Sequence, residues 1–87
     1  GKELYPDLFE KAAVLMRELI CGHVFEGANK RTGYMCAWTF LRINGYLLQS
    51  KEKEGDEFTT KIAEGKLKMS QIAKWLRSHS KNRKPRL

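Results

Sequence analysis

The 87-residue sequence lacks features that several classes of protein require. It has two cysteines, Cys21 and Cys36, which form no CxxC pair and have no zinc-type ligand spacing around them. We expect reduced, buried thiols, with a redox or metal pair as the alternative. No apolar run approaches the roughly 20 residues of a membrane-spanning helix, and the sequence leads us to expect no signal peptide. These absences argue against a disulfide scaffold and a membrane protein and favour a cytoplasmic one.

Positive charge is abundant but unevenly distributed. The net charge is +7, and the last seven residues, KNRKPRL, contain four cations and no acid. Basic ends of this kind are usually solvated and disordered. We therefore expect one helical domain over 1–80 and a disordered basic tail over 81–87. Contact with nucleic acid through this tail is the alternative to a merely solubilising end.

The spacing of apolar residues predicts an all-α fold. A first helix is expected from Pro6 to about Cys21, because apolar residues recur there at helical spacing. A second helix begins after the cap residue Asn29 and runs to about Asn44, where Gly45 stops it. Its middle, YMCAWTFL, predicts a central helix that is buried on every side and whose N-terminus is fixed in space.

Two shorter helices are predicted in the rest of the chain. A charged linker at 50–55 precedes a helix over 56–64, which Gly65 ends. A last helix is expected over 71–78, capped by the serine before it. The segment 46–48 is a short extended piece, which allows one small hairpin. The residues predicted to face inward are Phe58, Ile62 and Ala63 in the third helix, and Ile72, Ala73, Trp75 and Leu76 in the fourth.

One segment, HVFEGANKR at 23–31, combines the groups that a phosphate site needs. A helix N-terminus offers free N–H groups and a positive dipole end, and Gly27 and Ala28 leave the approach uncrowded. Lys30 and Arg31 add two cations at the same end, where each opposes the dipole by about 0.3–1 kcal/mol. A bound anion would remove that cost, so the arrangement predicts an anionic ligand.

Other residues of the segment could serve the same site. His23 could accept a proton from an attacking hydroxyl near neutral pH, and Phe25 is expected to turn inward and anchor the loop. Taken singly, His23 is an ordinary histidine, Asn29 a helix cap, and Glu26 loop surface, while Lys30 and Arg31 are a solvated charge pair. Only their joint spacing favours a phosphate cradle with a base beside it.

The segment resembles the HxFx(D/E)(G/A)N(G/K)R signature of the Fic superfamily, and its ANKRT ending resembles the Doc branch, the death-on-curing toxins. The similarity covers roughly residues 4–78, through YPDLFEKAAVLMRELICGHVF, FLRINGY and IAEGKLKMSQIAKWLRS. It implies a compact Fic-type helical bundle. It also implies a toxin of a toxin–antitoxin system that uses ATP and Mg²⁺ to phosphorylate a hydroxyl of a target protein. Elongation factor Tu, a translation factor, is the type of target that this branch modifies, and an antitoxin is the expected partner.

The resemblance also assigns roles by position. His23 would be the base that activates the target hydroxyl, and Arg31 would stabilise charge on the transferring group. Asn29, Lys30 and Arg31, with the backbone at Gly27 and Ala28, would hold the phosphates, and Phe25 would be the structural anchor. AMP transfer is less expected than phosphoryl transfer, because Tyr34 stands where AMP-transferring Fic proteins carry a second motif arginine.

The sequence departs from the family pattern in two places. Gly27 occupies the position of the acid that binds magnesium, and Glu26, one residue earlier, is the shifted candidate for a metal ligand. The alternative is a catalytically degenerate module that binds nucleotide or a partner protein without turnover. In addition, only 22 residues precede His23, fewer than in Doc toxins. Either the chain is an N-terminally truncated fragment, or its target recognition differs.

Overall fold

The computed structural model describes residues 8–22 and 29–83 and confirms the all-α prediction. The described residues form four helices and one small antiparallel sheet. The helices are α1 (Leu8–Cys21), α2 (Asn29–Ile43), α3 (Glu52–Ala63) and α4 (Met69–Ser78). The strands are β1 (Tyr46–Leu48) and β2 (Ser80–Asn82), paired in the register Tyr46–Asn82, Leu47–Lys81 and Leu48–Ser80. The sheet therefore joins two distant segments and is not the local hairpin that the sequence allowed.

Helix α1 buries one face, as its apolar spacing predicted. Its buried residues recur three and four positions apart, the signature of an amphipathic helix. They are Phe9, Ala12, Ala13, Met16 and Ile20. Pro6, the predicted first residue of this helix, lies outside the described residues. The prediction of two buried thiols is wrong for Cys21, which is exposed; Cys36 is partly buried, and both thiols are free.

Helix α2 is less buried than its composition predicted. Gly33, Ala37 and Leu41 are buried, but Met35 is 52% exposed and Ile43 is 70% exposed. The prediction of burial on every side is therefore wrong: α2 buries one face against α1, β1 and α3. Its fixed placement comes instead from close packing at Gly33, where a Cβ would lie 2.6 Å from Ile20 Cγ1 and 3.2 Å from the Met16 carbonyl oxygen.

Helix α3 begins earlier than predicted, so the prediction of a charged linker over 50–55 is wrong for 52–55. Lys51 is its N-cap residue, and Gly55, predicted as the last residue of the linker, is buried inside the helix. The buried positions Gly55, Phe58, Thr59 and Ile62 follow helical spacing. Phe58 and Ile62 were predicted correctly, whereas Ala63 is exposed.

Helix α4 packs on α1 through Ile72, Ala73 and Leu76, which are buried as predicted, while Trp75 is partly buried. The helix starts at Met69, so the predicted cap residue Ser70 is already helical. The Lys68 N–H donates to Gln71 Oε1 at 2.8 Å and caps the helix instead. Gly45 and Gly65 end the preceding helices with positive φ angles of 93° and 72°, as their sequence positions predicted.

The beginning of the predicted disordered tail belongs to the fold. Lys81 and Asn82 lie in β2, and the Arg83 N–H donates to the Gly45 carbonyl oxygen at 2.7 Å. The Arg42 guanidinium in turn donates to the Arg83 carbonyl oxygen at 2.9 Å. The disorder prediction is therefore wrong for 81–83, because unpaired strand groups of Tyr46–Leu48 find partners there; residues 84–87 lie outside the described residues.

The core lies where α1, α2, α3 and α4 meet, closed at one end by Leu48 of β1. Its largest fully buried side chains are Met16, Leu41, Ile62, Ile72 and Leu76. Burial of each such side chain contributes about 1.5–3 kcal/mol to folding. None of the helices over 8–22 and 29–83 has both the length and the apolar character that a bilayer crossing requires.

Candidate nucleotide-phosphate site

The first turn of α2 carries the cationic part of the predicted site. Asn29 opens the helix, and Lys30 and Arg31 follow it with exposed side chains. This first turn contains no acidic residue. Arg31 has no hydrogen bond or ion pair with another described residue. Two cations therefore stand at the positive end of a helix dipole, as the sequence predicted.

These cations border a cleft between α2 and α3. The cleft has a volume of about 340 Å³. Lys30, Arg31 and Tyr34 line it from α2, and Ser50, Glu52, Gly55 and Asp56 line it from the other side. One end of the cleft is formed by the predicted phosphate-binding residues, and the opposite wall carries the carboxylates of Glu52 and Asp56 beside the ammonium group of Lys51. An anionic group is favoured at the end that holds Lys30 and Arg31.

The wall formed by α3 is held by an ordinary helix cap. The Lys51 N–H donates to Glu54 Oε1 at 3.0 Å, which satisfies one N–H group at the start of the helix. Glu52 and Glu54 lie in the first turn, where negative charge is favourable. This wall is therefore stable without a ligand.

Tyr34 joins the two walls. Its hydroxyl shares a 2.8 Å hydrogen bond with the hydroxyl of Ser50. A Cβ at Gly55 would lie 3.3 Å from Ser50 Oγ and 3.4 Å from Tyr34 Cε2, so the ring and the α3 backbone are in close approach. The residue that replaces the second motif arginine thus acts as a spacer that sets the width of the cleft.

Lys30 makes a second link between the walls. Its Nζ donates to Thr60 Oγ1 at 3.3 Å, across 30 residues of sequence. The neighbouring hydroxyl of Thr59 is buried and donates instead to the carbonyl oxygens of Gly55 and Asp56 at 3.0 and 3.1 Å. The two adjacent threonines therefore make different contacts. Thr59 hydrogen bonds to carbonyl oxygens of its own helix, and Thr60 accepts a hydrogen bond from Lys30 of α2.

The structure brings together only part of the predicted site. Asn29, Lys30 and Arg31 share one helical turn, whereas His23, Phe25, Glu26, Gly27 and Ala28 lie outside the described residues and stay predictions. Within 8–22 and 29–83, no group of three or more His, Cys, Asp or Glu side chains is arranged to hold a metal ion. Glu26 is therefore still the candidate metal ligand, and its role stays a prediction.

Sequence reasoning missed the other side of the cleft, including Ser50 and Gly55, and the contact of Thr60 with Lys30. The signal was present, because the buried set that runs from Gly55 to Ile62 has helical spacing and Glu54 follows Lys51 at the capping distance. It was hidden because the charged segment 50–55 was predicted to be a linker. A glycine inside a helix usually costs stability, and here its small size permits the contact with Tyr34.

The sequence is similar to that of known proteins over the segment that carries the predicted site. The sequence profile of the Fic/DOC family matches residues 1–41, which include the whole 23–31 segment. The chain is 48% identical over 48 residues to Toxin Doc of Mycolicibacterium smegmatis (strain ATCC 700084 / mc(2)155), a match that covers 55% of this chain. It is 38% identical over 71 residues, or 82% of the chain, to Protein kinase doc of Escherichia phage P1. The matches span only 37% and 56% of the lengths of these two relatives.

Proposed function

The chain belongs to the Fic/DOC family, in its death-on-curing branch, and from that premise we propose that it is the ATP-dependent phosphotransferase module of a Doc-type toxin. The substrate class is Mg-ATP together with a hydroxyl of a target protein, of which a translation factor is the expected type. The partner that restrains such a toxin is an antitoxin protein. AMP transfer is the less favoured reaction of the same site.

The observation that carries this proposal is the cation pair at the α2 N-terminus. Lys30 and Arg31 oppose the helix dipole and line a cleft of about 340 Å³. In an unliganded helix this arrangement is unfavourable, whereas phosphate bound between the cations and the backbone N–H groups makes it favourable. A guanidinium can grip phosphate with two parallel hydrogen bonds, and an ammonium contributes a point charge.

The proposed reaction is an in-line displacement at the γ-phosphorus of ATP. The target hydroxyl oxygen forms a bond to that phosphorus while the bond to the bridging oxygen breaks, and ADP leaves. His23 accepts the hydroxyl proton as the general base. Asn29 and Lys30 hold phosphate oxygens, and Arg31 stabilises the charge on the transferring group. Catalysis of this kind depends on positioning and electrostatics without a covalent enzyme intermediate.

The need for a metal ion distinguishes the proposed phosphotransferase from a module that binds without turnover. The phosphates fit the cations of α2, but no metal-binding cluster exists among the described residues, and Gly27 stands at the family's acidic position. Bound magnesium would neutralise phosphate charge, and Glu26 is the candidate ligand. The second candidate function follows from this replacement: a Fic-fold module that binds nucleotide or a partner protein without turnover.

Tyr34 favours phosphoryl transfer over AMP transfer. It replaces the second motif arginine, and its hydroxyl is engaged with Ser50 at 2.8 Å. The cleft therefore lacks, at this position, a cation for the terminal phosphates in the orientation that AMP transfer uses. This supports attack at the γ-phosphorus.

A labelling experiment tests the proposal. The protein is incubated with magnesium, a bacterial lysate and ATP labelled at either the γ- or the α-phosphate, with His23→Ala as the control. Transfer of γ-label to a lysate protein that is lost in the control supports the kinase. Transfer of α-label would replace it with AMP transfer.

Absence of transfer from both labels would overturn the enzymatic proposal in favour of the binding module. Gly27→Asp then separates a degenerate site from a wrong assignment. If label transfer appears only in Gly27→Asp, the natural site has lost its metal ligand. If calorimetry at millimolar ATP and magnesium detects no binding to either protein, the nucleotide assignment itself fails.

A further inference from the structure

The ammonium group of Lys30 is held by a side chain from another helix. Its Nζ donates to Thr60 Oγ1 at 3.3 Å, which links the first turn of α2 to the middle of α3. A lysine on the surface has a long flexible stem and can point in many directions. The bond to Thr60 selects a direction toward α3, the helix on the other side of the cleft that Lys30 lines.

Thr60 is well placed to fix that direction. It lies between Phe58 and Ile62, whose side chains are 3% and 2% exposed in the core, so the backbone of α3 is held on both sides of it. The contact of Gly55 with Tyr34 fixes the same helix against α2 one turn earlier. The Thr60 oxygen is therefore carried by a backbone segment that the core holds in place, unlike a group on a surface loop.

The chemistry of the pair leaves Lys30 free to bind a ligand at the same time. An ammonium group has three N–H donors, and Thr60 accepts one of them. The other two remain for phosphate oxygens. The neighbouring Thr59 donates its hydroxyl to carbonyl oxygens within α3 and makes no hydrogen bond to Lys30.

We infer that Thr60 is a positioning residue of the nucleotide site, whose hydroxyl oxygen holds the Lys30 ammonium at the cationic end of the cleft. Thr60 acts only through Lys30, and the inference requires no direct contact between Thr60 and the nucleotide. The inference rests on the proposed function, because it needs Lys30 to bind phosphate.

Substitution of Thr60 tests this role by ATP titration calorimetry on the full 87-residue chain. Thr60→Val keeps the side-chain shape and removes the acceptor, and we expect the Kd for ATP to rise by roughly threefold to tenfold. Thr60→Ser retains the hydroxyl and should stay within about twofold of the original Kd. Thr39→Val, at an exposed position of α2, is the matched control and should leave the Kd unchanged.

A double-mutant cycle separates positioning from a purely structural effect. In a Lys30→Met background, Thr60→Val should have no further effect on the Kd, because the group that Thr60 positions is gone. An equal loss of affinity in both backgrounds would overturn the inference, and so would failure of Thr60→Ser to restore binding. Thermal unfolding of each variant shows whether the fold is retained.

The two proposals fail in different ways. If ATP binding is absent from the original chain, or is unchanged by Lys30→Met, the phosphate assignment of Lys30 fails and the positioning role fails with it. If Lys30→Met weakens binding and Thr60→Val does not, only the positioning role fails. Weakening by both, without additivity, supports both.

Discussion

Two helices begin at the same cleft and differ in the charge of their first turns. Helix α3 opens, after its N-cap lysine, with Glu52, Lys53 and Glu54, so acids and bases are balanced there, and the Glu54 cap stabilises this helix start. Helix α2 opens with Lys30 and Arg31 and no acid, which destabilises one. The start of α3 therefore has charges that offset one another, whereas the start of α2 has an uncompensated pair of cations, the feature on which the proposed phosphate site rests.

The two helices also solve the same packing problem in the same way. Each has one buried glycine where another element comes close: Gly33 of α2 against Ile20 and Met16, and Gly55 of α3 against Tyr34. The packing around the cleft is thus similar on both sides, and the two helices differ in the charges at their first turns. Four predictions test this similarity in packing and this difference in charge.

Removal of the positive charge of Arg31 is expected to have the largest effect, a loss of phosphoryl-transfer activity. Arg31→Gln should lower γ-label transfer by about 10²–10³-fold, because a preorganised charge at the transferring group typically supplies about 2.7–4 kcal/mol. Arg42→Gln, at the other end of α2, is the matched control and should keep most of the activity. Comparable losses in both variants would show that the effect is not local to the cleft.

The next effect is on stability. Gly33→Ala should lower the free energy of unfolding by about 1–2 kcal/mol, because overpacking against Ile20 and the Met16 carbonyl outweighs the gain of about 1 kcal/mol in helix propensity. Urea denaturation measures it. Gly55→Ala should cost less, since its nearest contacts, at 3.3 and 3.4 Å, are side-chain atoms that can adjust. A larger cost at Gly55 would reverse this ranking of the two contacts.

A smaller effect tests the cap of α3. Glu54→Ala should cost about 0.5–1 kcal/mol of stability through loss of the Lys51 N–H hydrogen bond and of a favourable charge near the dipole. ATP affinity should not change. Glu57→Ala removes an exposed acid beyond the first turn of the same helix and is the control for charge alone. Equal destabilisation by the two variants would contradict the cap assignment.

The smallest expected effect is a gain in stability when the repulsion between the Arg31 cation and the positive end of the α2 dipole is removed. Arg31→Gln should raise the free energy of unfolding by about 0.3–1 kcal/mol at low ionic strength, and the gain should fade in 1 M salt. Arg42→Gln should have the opposite sign, because Arg42 lies in the last turn and donates to the Arg83 carbonyl oxygen. Thermal melts at two salt concentrations distinguish the signs. A stability loss in Arg31→Gln would mean that the α2 start is not under electrostatic conflict.

Local pattern was sufficient for much of the fold. Amphipathic spacing predicted the buried face of α1 and the buried positions of α4, and the glycine positions predicted the helix ends at Gly45 and Gly65. Both kinds of signal act over only a few residues of sequence. The errors came where distant segments meet. Gly55 was predicted to lie in a linker although it is in close contact with Tyr34 from within α3. Residues 81–83 were predicted to be disordered although Lys81 and Asn82 pair with β1 and the Arg83 N–H donates to the Gly45 carbonyl oxygen.

The sequence by itself determined the family, the cation pair at Lys30 and Arg31 and their place at a helix start, because a motif and a helix cap are local features. Only the tertiary structure decided the other wall of the cleft and the contact of Thr60 with Lys30. Ser50, Gly55 and Thr60 lie 16–30 residues from their partners on α2, and chain pattern carries no distance information over that range. Packing of Phe58 and Ile62 into the core is what brings that wall to the cations.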